Sequence, residues 1–376
     1  MQAVSLNNMR ILLVLAVLVV TATMFWSGSR YPSLNEKAIM GGSAALEDPL
    51  SFEASLQTQP GDPLPQRILF STVNWVETNL EGMTFGLVIG ACLLTLIGVI
   101  SVRGHRNGYV NSALGVLVGT PLGVCVNCAA PVAKGMHDGG ARLETTLATM
   151  FSSPTLNIVV VSMLLSIFPP YLVVIKLALT LVFILLVVPW LSRRVFSDER
   201  ALTYDDSLCA ITPAEPSQPN GSLTSALFMT GSDLIKNLWY VVSRTVPLML
   251  LAGALGAIAA NVLPLQTLVD LEPTVASLVL VALVGIFLPV PVAFDIVVVA
   301  VLISTGVPMI YSMTLLFTLG IFSIYPFMIV WRSISAKVAI VLTLVLIAMG
   351  IAGGVVADRI HQAELQQMMQ YLEQTQ

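Results

Sequence analysis

The chain has 376 residues, of which 56% are hydrophobic and 10% are charged, and its mean hydropathy is +0.88. Soluble domains carry about 25% charged residues, so 17 basic and 21 acidic side chains cannot cover the surface of a water-soluble globule of this size. The composition therefore excludes an ordinary cytosolic enzyme, a nucleic-acid-binding protein and a disordered chain.

The charges are unevenly distributed along the chain. Residues 82–192 and 238–357 hold 13 of them, and the other 25 lie near the N-terminus, in a central linker and in the C-terminal tail. Two apolar blocks separated by a polar linker are typical of a polytopic membrane protein. We therefore predict an all-α protein of the lipid bilayer, which is not an enzyme and needs no cofactor.

The predicted regions, in chain order, are an N-terminal anchor helix (1–27), an extracytoplasmic loop (28–81), a first membrane repeat (82–192), a cytoplasmic linker (193–237), a second membrane repeat (238–357) and a polar tail (358–376). Bulky residues at Met24–Trp26 favour an uncleaved anchor over a signal peptide. Arg67–Gly82 fits an amphipathic helix on the membrane surface, and the tail could be helical.

Each repeat contains four apolar segments, and the second segment of each is interrupted. The segments are 82–102, 109–137, 143–168 and 171–191, then 238–263, 275–305, 309–331 and 338–356. The interruptions are Thr120–Gly123 and Pro289–Pro291, which a shift of 166 residues brings together, and the same shift places Gly140 on Gly306. Matched interruptions predict two structural repeats.

The distribution of Lys and Arg leaves two topologies open. If each interrupted segment is a re-entrant hairpin, eleven basic residues are cytoplasmic and four lie outside, and the repeats are inverted. If each is a single crossing with the N-terminus outside, the ratio is ten to five. The second topology places the acidic 28–81 loop in the cytoplasm, so we favour the hairpins and a cytoplasmic (inner) membrane location.

The first interruption carries the residues most suited to chemistry. Cys125, Asn127 and Cys128 follow it, and Pro131 closes the stretch. Irregular backbone survives at membrane depth where it lines a cavity, and two thiols at this spacing can reach one soft ion or metalloid. Two other interpretations stay open, namely small apolar packing residues and a redox pair.

The second interruption precedes an acidic residue within an apolar stretch. Asp295 follows Pro289 and Pro291, and an intramembrane acid suggests a role in transport or coupling, or else an ion pair with Lys134 or Lys176. Further candidates for the substrate path are Asn157 and Ser323, and Lys134 is a candidate for coupling. The sequence contains no phosphate-binding loop and no catalytic triad, so a secondary transporter or a channel remains.

Three stretches resemble a known family. They are Pro121-Leu-Gly-Val-Cys-Val-Asn-Cys-Ala-Ala-Pro131, Gly139-Gly140 and Ser152-Ser-Pro-Thr-Leu-Asn157, and they are similar to motifs of the predicted permeases that include the organoarsenical efflux permeases. The resemblance implies a permease that exports trivalent organoarsenicals or a related thiophilic solute, with Cys125 and Cys128 as contacts. That family often has Cys-x-Cys, whereas this chain has Cys-x-x-Cys.

The sequence thus predicts a secondary-active permease that works by alternating access at a midplane site, with a small molecule or an ion as its substrate. The alternatives are a membrane thiol-redox or metal-handling protein without transport, and a channel.

Overall fold

The computed structural model describes residues 6–30, 48, 50, 54–59, 61–99, 105–196, 223–262, 271–291 and 293–375. Within these ranges the chain is largely helical. The helices are α1 (Leu6–Met24, continued as a π-helix over Phe25–Arg30), α2 (Leu64–Val99), α3 (Gly108–Leu122), α4 (Val126–Asp138), α5 (Leu143–Thr155), α6 (Ile158–Ile167), α7 (Pro170–Arg194), α8 (Leu223–Val262), α9 (Val275–Phe287), α10 (Phe294–Ser304), α11 (Met309–Thr318), α12 (Ile324–Ser333) and α13 (Ala336–Thr375).

Five of the described helices are long and apolar enough to cross a membrane, namely α1, α2, α7, α8 and α13. A sixth crossing is possible where α5 and α6 follow each other with a bend of 44°. Large apolar side chains such as Leu117 and Phe228 point outward, with 70% and 79% of their surface exposed, as lipid-facing residues do. These features confirm the predicted all-α polytopic membrane fold.

The first interrupted segment forms a hairpin. Helix α3 runs parallel to α5, because Thr145 donates to the carbonyl of Asn111 and Thr149 donates to that of Gly115, each at 3.1 Å. The start of α4 lies near the end of α5, because the Val124 N–H donates to the Ser153 hydroxyl. Only four residues separate the end of α4 from the start of α5. Helices α3 and α4 therefore run in opposite directions, as in a hairpin rather than a single crossing.

The second interrupted segment has the same geometry. Helix α9 runs parallel to α11, since Ser277 bonds Tyr311 at 2.7 Å near their starts and Gly285 contacts Thr318 near their ends. Helix α10 starts beside Gly320, just after α11, and returns to the start of α11. The hairpin tips are Gly123–Cys125 and Leu288–Ala293, close to the predicted interruptions.

Two segments that the sequence analysis treats as single spans are broken. Between α5 and α6, the amide of Asn157 donates to the Ser153 carbonyl at 2.9 Å, and its oxygen accepts from the Val160 N–H at 3.0 Å. Pro154 lies in the last turn of α5, where its missing N–H weakens the helix just before the break. Between α11 and α12, Gly320 has φ +79°, a left-handed conformation that interrupts a helix.

Two further boundaries differ from those expected from the sequence. Arg67–Gly82 is part of the continuous helix α2 rather than a separate surface helix, because only Pro63 and Pro65 at its start interrupt helix formation. Helix α8 begins at Leu223, inside the predicted linker, whose residues 197–222 lie outside the described ranges. The tail is helical as far as Thr375.

The order of helices repeats with the predicted offset. Helices α5, α6 and α7 begin at Leu143, Ile158 and Pro170, and α11, α12 and α13 begin 166 residues later at Met309, Ile324 and Ala336. Gly140 and Gly306 also share a positive φ, of 85° and 87°. The hairpin tips break this register, because the second tip is six residues long and the first is three.

Glycines bring α2 and α4 into close contact. A Cβ on Gly86 would lie 2.5 Å from the carbonyl oxygen of Cys128, and one on Gly90 would lie 2.8 Å from that of Pro131. Gly82, one turn earlier, faces the sulfur of Cys128. Small residues at four-residue spacing are a common solution for helix packing in lipid. This stripe fixes the first hairpin against a spanning helix.

We expect Gly86→Ala to destabilise the protein by about 1–3 kcal/mol, because the added methyl group must displace backbone. Gly231→Ala in α8 is the matched control, since nothing lies within 4 Å of the added Cβ. The measurement is unfolding by SDS in mixed micelles. Equal stability of the two variants would contradict the packing argument.

Candidate functional site

Asn127 joins the two hairpin tips at the centre of the molecule. Its side-chain amide donates to the Val290 carbonyl of the second tip at 3.3 Å, and its oxygen accepts from the Ser323 hydroxyl at 2.6 Å. Ser323 is the N-cap residue of α12, and all three residues are fully buried. The first hairpin is thereby hydrogen-bonded to two separate breaks in the second repeat.

The two cysteines occupy the start of α4. Cys125 is its N-cap residue, and the sulfur accepts the Cys128 N–H at 3.2 Å while the thiol donates to Asn79 Oδ1 at 3.9 Å. The sulfur of Cys128 packs against Gly82 of α2. With 5% and 2% of their surface exposed, both thiols are buried. They can meet a solute only when the surrounding helices move.

Asp295 forms a buried ion pair with Lys176 of α7. Asp295 lies in the first turn of α10, where the helix dipole favours a negative charge. The two side chains are 8% and 3% exposed, so the pair lies almost entirely within the protein. Of the two partners that the sequence left open, the structure therefore places Lys176, and not Lys134, beside this acid.

A small cavity lies between the hairpin tips, with room for about one water molecule. Residues from both repeats line it: Cys125, Val126, Pro154 and Thr155 from the first, and Val290, Pro291, Ala293, Asp295 and Gly320 from the second. One thiol and one carboxylate thus face the same space, at a point where four helices begin or end.

Two tryptophans donate hydrogen bonds to backbone carbonyl groups at or next to the hairpin tips. The Trp26 indole donates to the Pro121 carbonyl at 3.2 Å, and the Trp75 indole donates to the Pro289 carbonyl. Each carbonyl lies at or just after the C-terminal end of the first helix of its hairpin. It therefore lacks the backbone N–H partner that it would have inside a helix. The indoles therefore stabilise both irregular stretches. The sequence analysis did not identify either residue.

Other predicted residues lie at the edge of this site. Pro131 contacts α2 through its carbonyl group, beside Gly90. Asn157 caps α6, one turn from the cavity wall. Lys134 pairs with Asp138 at 2.7 Å and lies 5.0 Å from the ring centre of Tyr240, two turns along α4 from Asn127. The structure thus separates Lys134 from Asp295.

The two thiols do not by themselves complete a metal site. Among the residues that the structure describes, no group of three or more His, Cys, Asp or Glu side chains is placed to hold a metal ion. Two thiols alone leave a four-coordinate metal incomplete. A soft ion at Cys125 and Cys128 would need further ligands, such as backbone oxygens or its own attached groups.

Asn79 is a site residue that the sequence analysis missed. It lies on α2 with two other buried polar side chains at helical spacing, Ser71 and Asn74, and one face of the helix therefore carries polar groups. That periodicity was a usable signal, because polar residues on one face of a membrane helix point toward protein or a wet cavity.

Comparison with known families gives one match. A family model described as a predicted permease covers residues 76–359, about three quarters of the chain. The matched range contains both hairpins and every candidate site residue that the sequence predicts. Comparison with curated proteins and with solved structures gives no match.

We expect Asn127→Ala and Ser323→Ala each to lower stability by about 1–3 kcal/mol, because each leaves a buried hydrogen-bonding group unpaired. In the double variant the losses should add incompletely, with a coupling energy above about 0.5 kcal/mol. Unfolding by SDS in mixed micelles measures both.

The control is Ser166→Ala, which removes an exposed hydroxyl bonded within its own helix. Simple additivity of Asn127→Ala and Ser323→Ala would show that the two side chains act independently.

Proposed function

Because the chain belongs to the predicted permease family, we propose that it is a secondary-active permease of the cytoplasmic membrane that exports a thiophilic small solute. The solute is a trivalent organoarsenical, another metalloid or a soft metal ion. The observation that carries the proposal is the buried cavity between two hairpin tips, lined by Cys125 and Asp295.

In this proposal Cys125 and Cys128 bind the solute. A trivalent organoarsenical carries two hydroxyl groups, and two thiols can replace them with release of two water molecules and no change in oxidation state. Thiols are the protein ligands that soft centres prefer. Release is the reverse reaction with water. Opened backbone at the tip and the amide of Asn127 then supply hydrogen bonds to the solute.

The proposal includes alternating access between two inverted repeats. Helix α4 runs with α12, since Asn127 contacts Ser323 at their starts and His137 contacts the backbone of Ser333 at their ends. Helix α6, which matches α12 in the repeat, continues α5 with a bend of 44° and so runs against α4. Equivalent helices that leave the site in opposite directions support an inverted relationship.

We further propose that protons drive transport through Asp295. An acid in an apolar environment is costly unless it has a task or a partner, and this one faces the same cavity as a proposed solute ligand. Lys134, with Asp138, would act at the cytoplasmic mouth of the path, where the positive-inside rule places Lys134 and Arg142.

We expect Cys125→Ser and Cys128→Ser each to lower export of a trivalent phenylarsenical at least tenfold, because an alcohol binds soft centres far more weakly than a thiol. The matched control is Cys92→Ser, which alters a buried thiol of α2 away from the cavity. Uptake into inside-out vesicles, followed by elemental analysis, gives the rate. Unchanged rates for the phenylarsenical, arsenite and Zn²⁺ would refute the thiol site.

Wild-type protein in proteoliposomes should concentrate the phenylarsenical against its gradient when a pH gradient is present, and should only equilibrate it when nigericin dissipates that gradient. Accumulation that ignores the pH gradient would refute proton coupling. Conductance without coupling would favour a channel, and cycling of the two cysteines through a disulfide without flux would favour a redox protein.

A further inference from the structure

We infer that Lys176 is the coupling partner of Asp295, and that their ion pair is a latch that holds the second hairpin closed until a proton binds Asp295. The inference deepens the proposed function and rests on it for the transport step alone. Lys176 here is a positioning residue, which acts on the cavity through Asp295.

The pair joins the two repeats at the cavity. Lys176 lies on α7, the last helix of the first repeat, and Asp295 lies in the first turn of α10, directly after the second hairpin tip. Asp295 lines the cavity and Lys176 does not. A proton in the cavity can therefore bind the Asp295 carboxylate. Lys176 is not in contact with the cavity and is affected only because protonation removes the negative charge of its partner.

The geometry of the tip makes α10 a suitable moving part. Its N-cap residue, Ala293, has φ +62°, and the described residues of the tip, 288–291 and 293, are not helical. Gly320 lies beside the carboxylate, where an added Cβ would be 3.6 Å from Asp295 Oδ1, and it has no side chain to hold the carboxylate in place. Hydrogen bonds from Trp75 to Pro289 and from Asn127 to Val290 also hold the tip that precedes α10.

The charges around Asp295 decide the consequence of protonation. From α7 it faces Lys176, and the other titratable side chain of the cavity wall is Cys125 of α4. The proton forms an O–H bond on Asp295, and Lys176 keeps its own three protons and its charge. A buried, unpaired ammonium is strongly unfavourable, so the equilibrium shifts toward a conformation in which water reaches Lys176.

Lys176→Met combined with Asp295→Asn tests the latch without leaving a buried charge. Replacing both partners of a buried pair is far better tolerated than removing one. Hydrogen–deuterium exchange of α10, corrected for the intrinsic rate at each pH, reports on the hairpin without any solute. In the wild type and in Lys176→Arg we expect α10 to exchange at least tenfold faster at a pH low enough to protonate Asp295 than at pH 8.

In the double variant, exchange of α10 should no longer depend on pH, because no buried charge remains that a proton could leave unpaired. Arg10→Met combined with Asp233→Asn removes another ion pair between helices and should keep the wild-type pH response. A pH response of α10 that survives in the Lys176/Asp295 double variant would overturn the latch.

The same proteins in liposomes separate this inference from the proposed function. If the wild type concentrates the phenylarsenical with a pH gradient, the Lys176/Asp295 double variant should only equilibrate it. Accumulation by that variant would overturn the latch and leave the proposed function intact. No transport by the wild type would refute the proposed function, and the exchange experiment would still decide whether the latch exists.

Discussion

The constraint on which the structure depends is that backbone amide and carbonyl groups cannot go without hydrogen-bond partners at membrane depth, where each unpaired group costs several kcal/mol. This chain breaks its helices at four places in the described repeats, after α3, α5, α9 and α11. Three of these breaks have side-chain hydrogen bonds to backbone carbonyl or amide groups. Ser153 bonds Val124 after α3, Asn157 bonds the Ser153 carbonyl after α5, and Trp75 and Asn127 bond the carbonyls of Pro289 and Val290 after α9.

The same hydrogen bonds make the centre of the molecule a place that can change state. The side-chain amide of Asn127 donates to Val290 and its oxygen accepts from Ser323, both in the second repeat. Any movement of one hairpin past the other therefore exchanges these bonds for bonds to water or solute. A side-chain amide can make that exchange at little net cost, whereas a continuous helix would first have to unwind. Broken helices therefore suit a membrane protein whose two halves must move.

Sequence reasoning predicted the hairpins because Pro121 with Gly123, and Pro289 with Pro291, disrupt long apolar runs. It treated α5–α6 and α11–α12 as single spans, although Pro154 and Gly320 lie at the breaks, because one such residue is tolerated within many membrane helices. The grouping of Cys125, Asn127 and Asp295 followed from the repeat. Asn79 and the two tryptophans did not, because their contacts span between 46 and 214 residues of sequence.

The two inter-repeat contacts at the cavity differ in what can break them. The bonds of Asn127 are neutral, and water or a polar solute can replace them whatever the pH. The pair of Lys176 and Asp295 is ionic and almost fully buried, so its strength depends on the protonation of one carboxylate. A cavity wall that contains both kinds of contact can respond to a solute through the first and to a proton through the second. In this arrangement a proton loosens α10 by breaking the ion pair, whereas release of the whole second tip also requires that the bonds of Asn127 be exchanged.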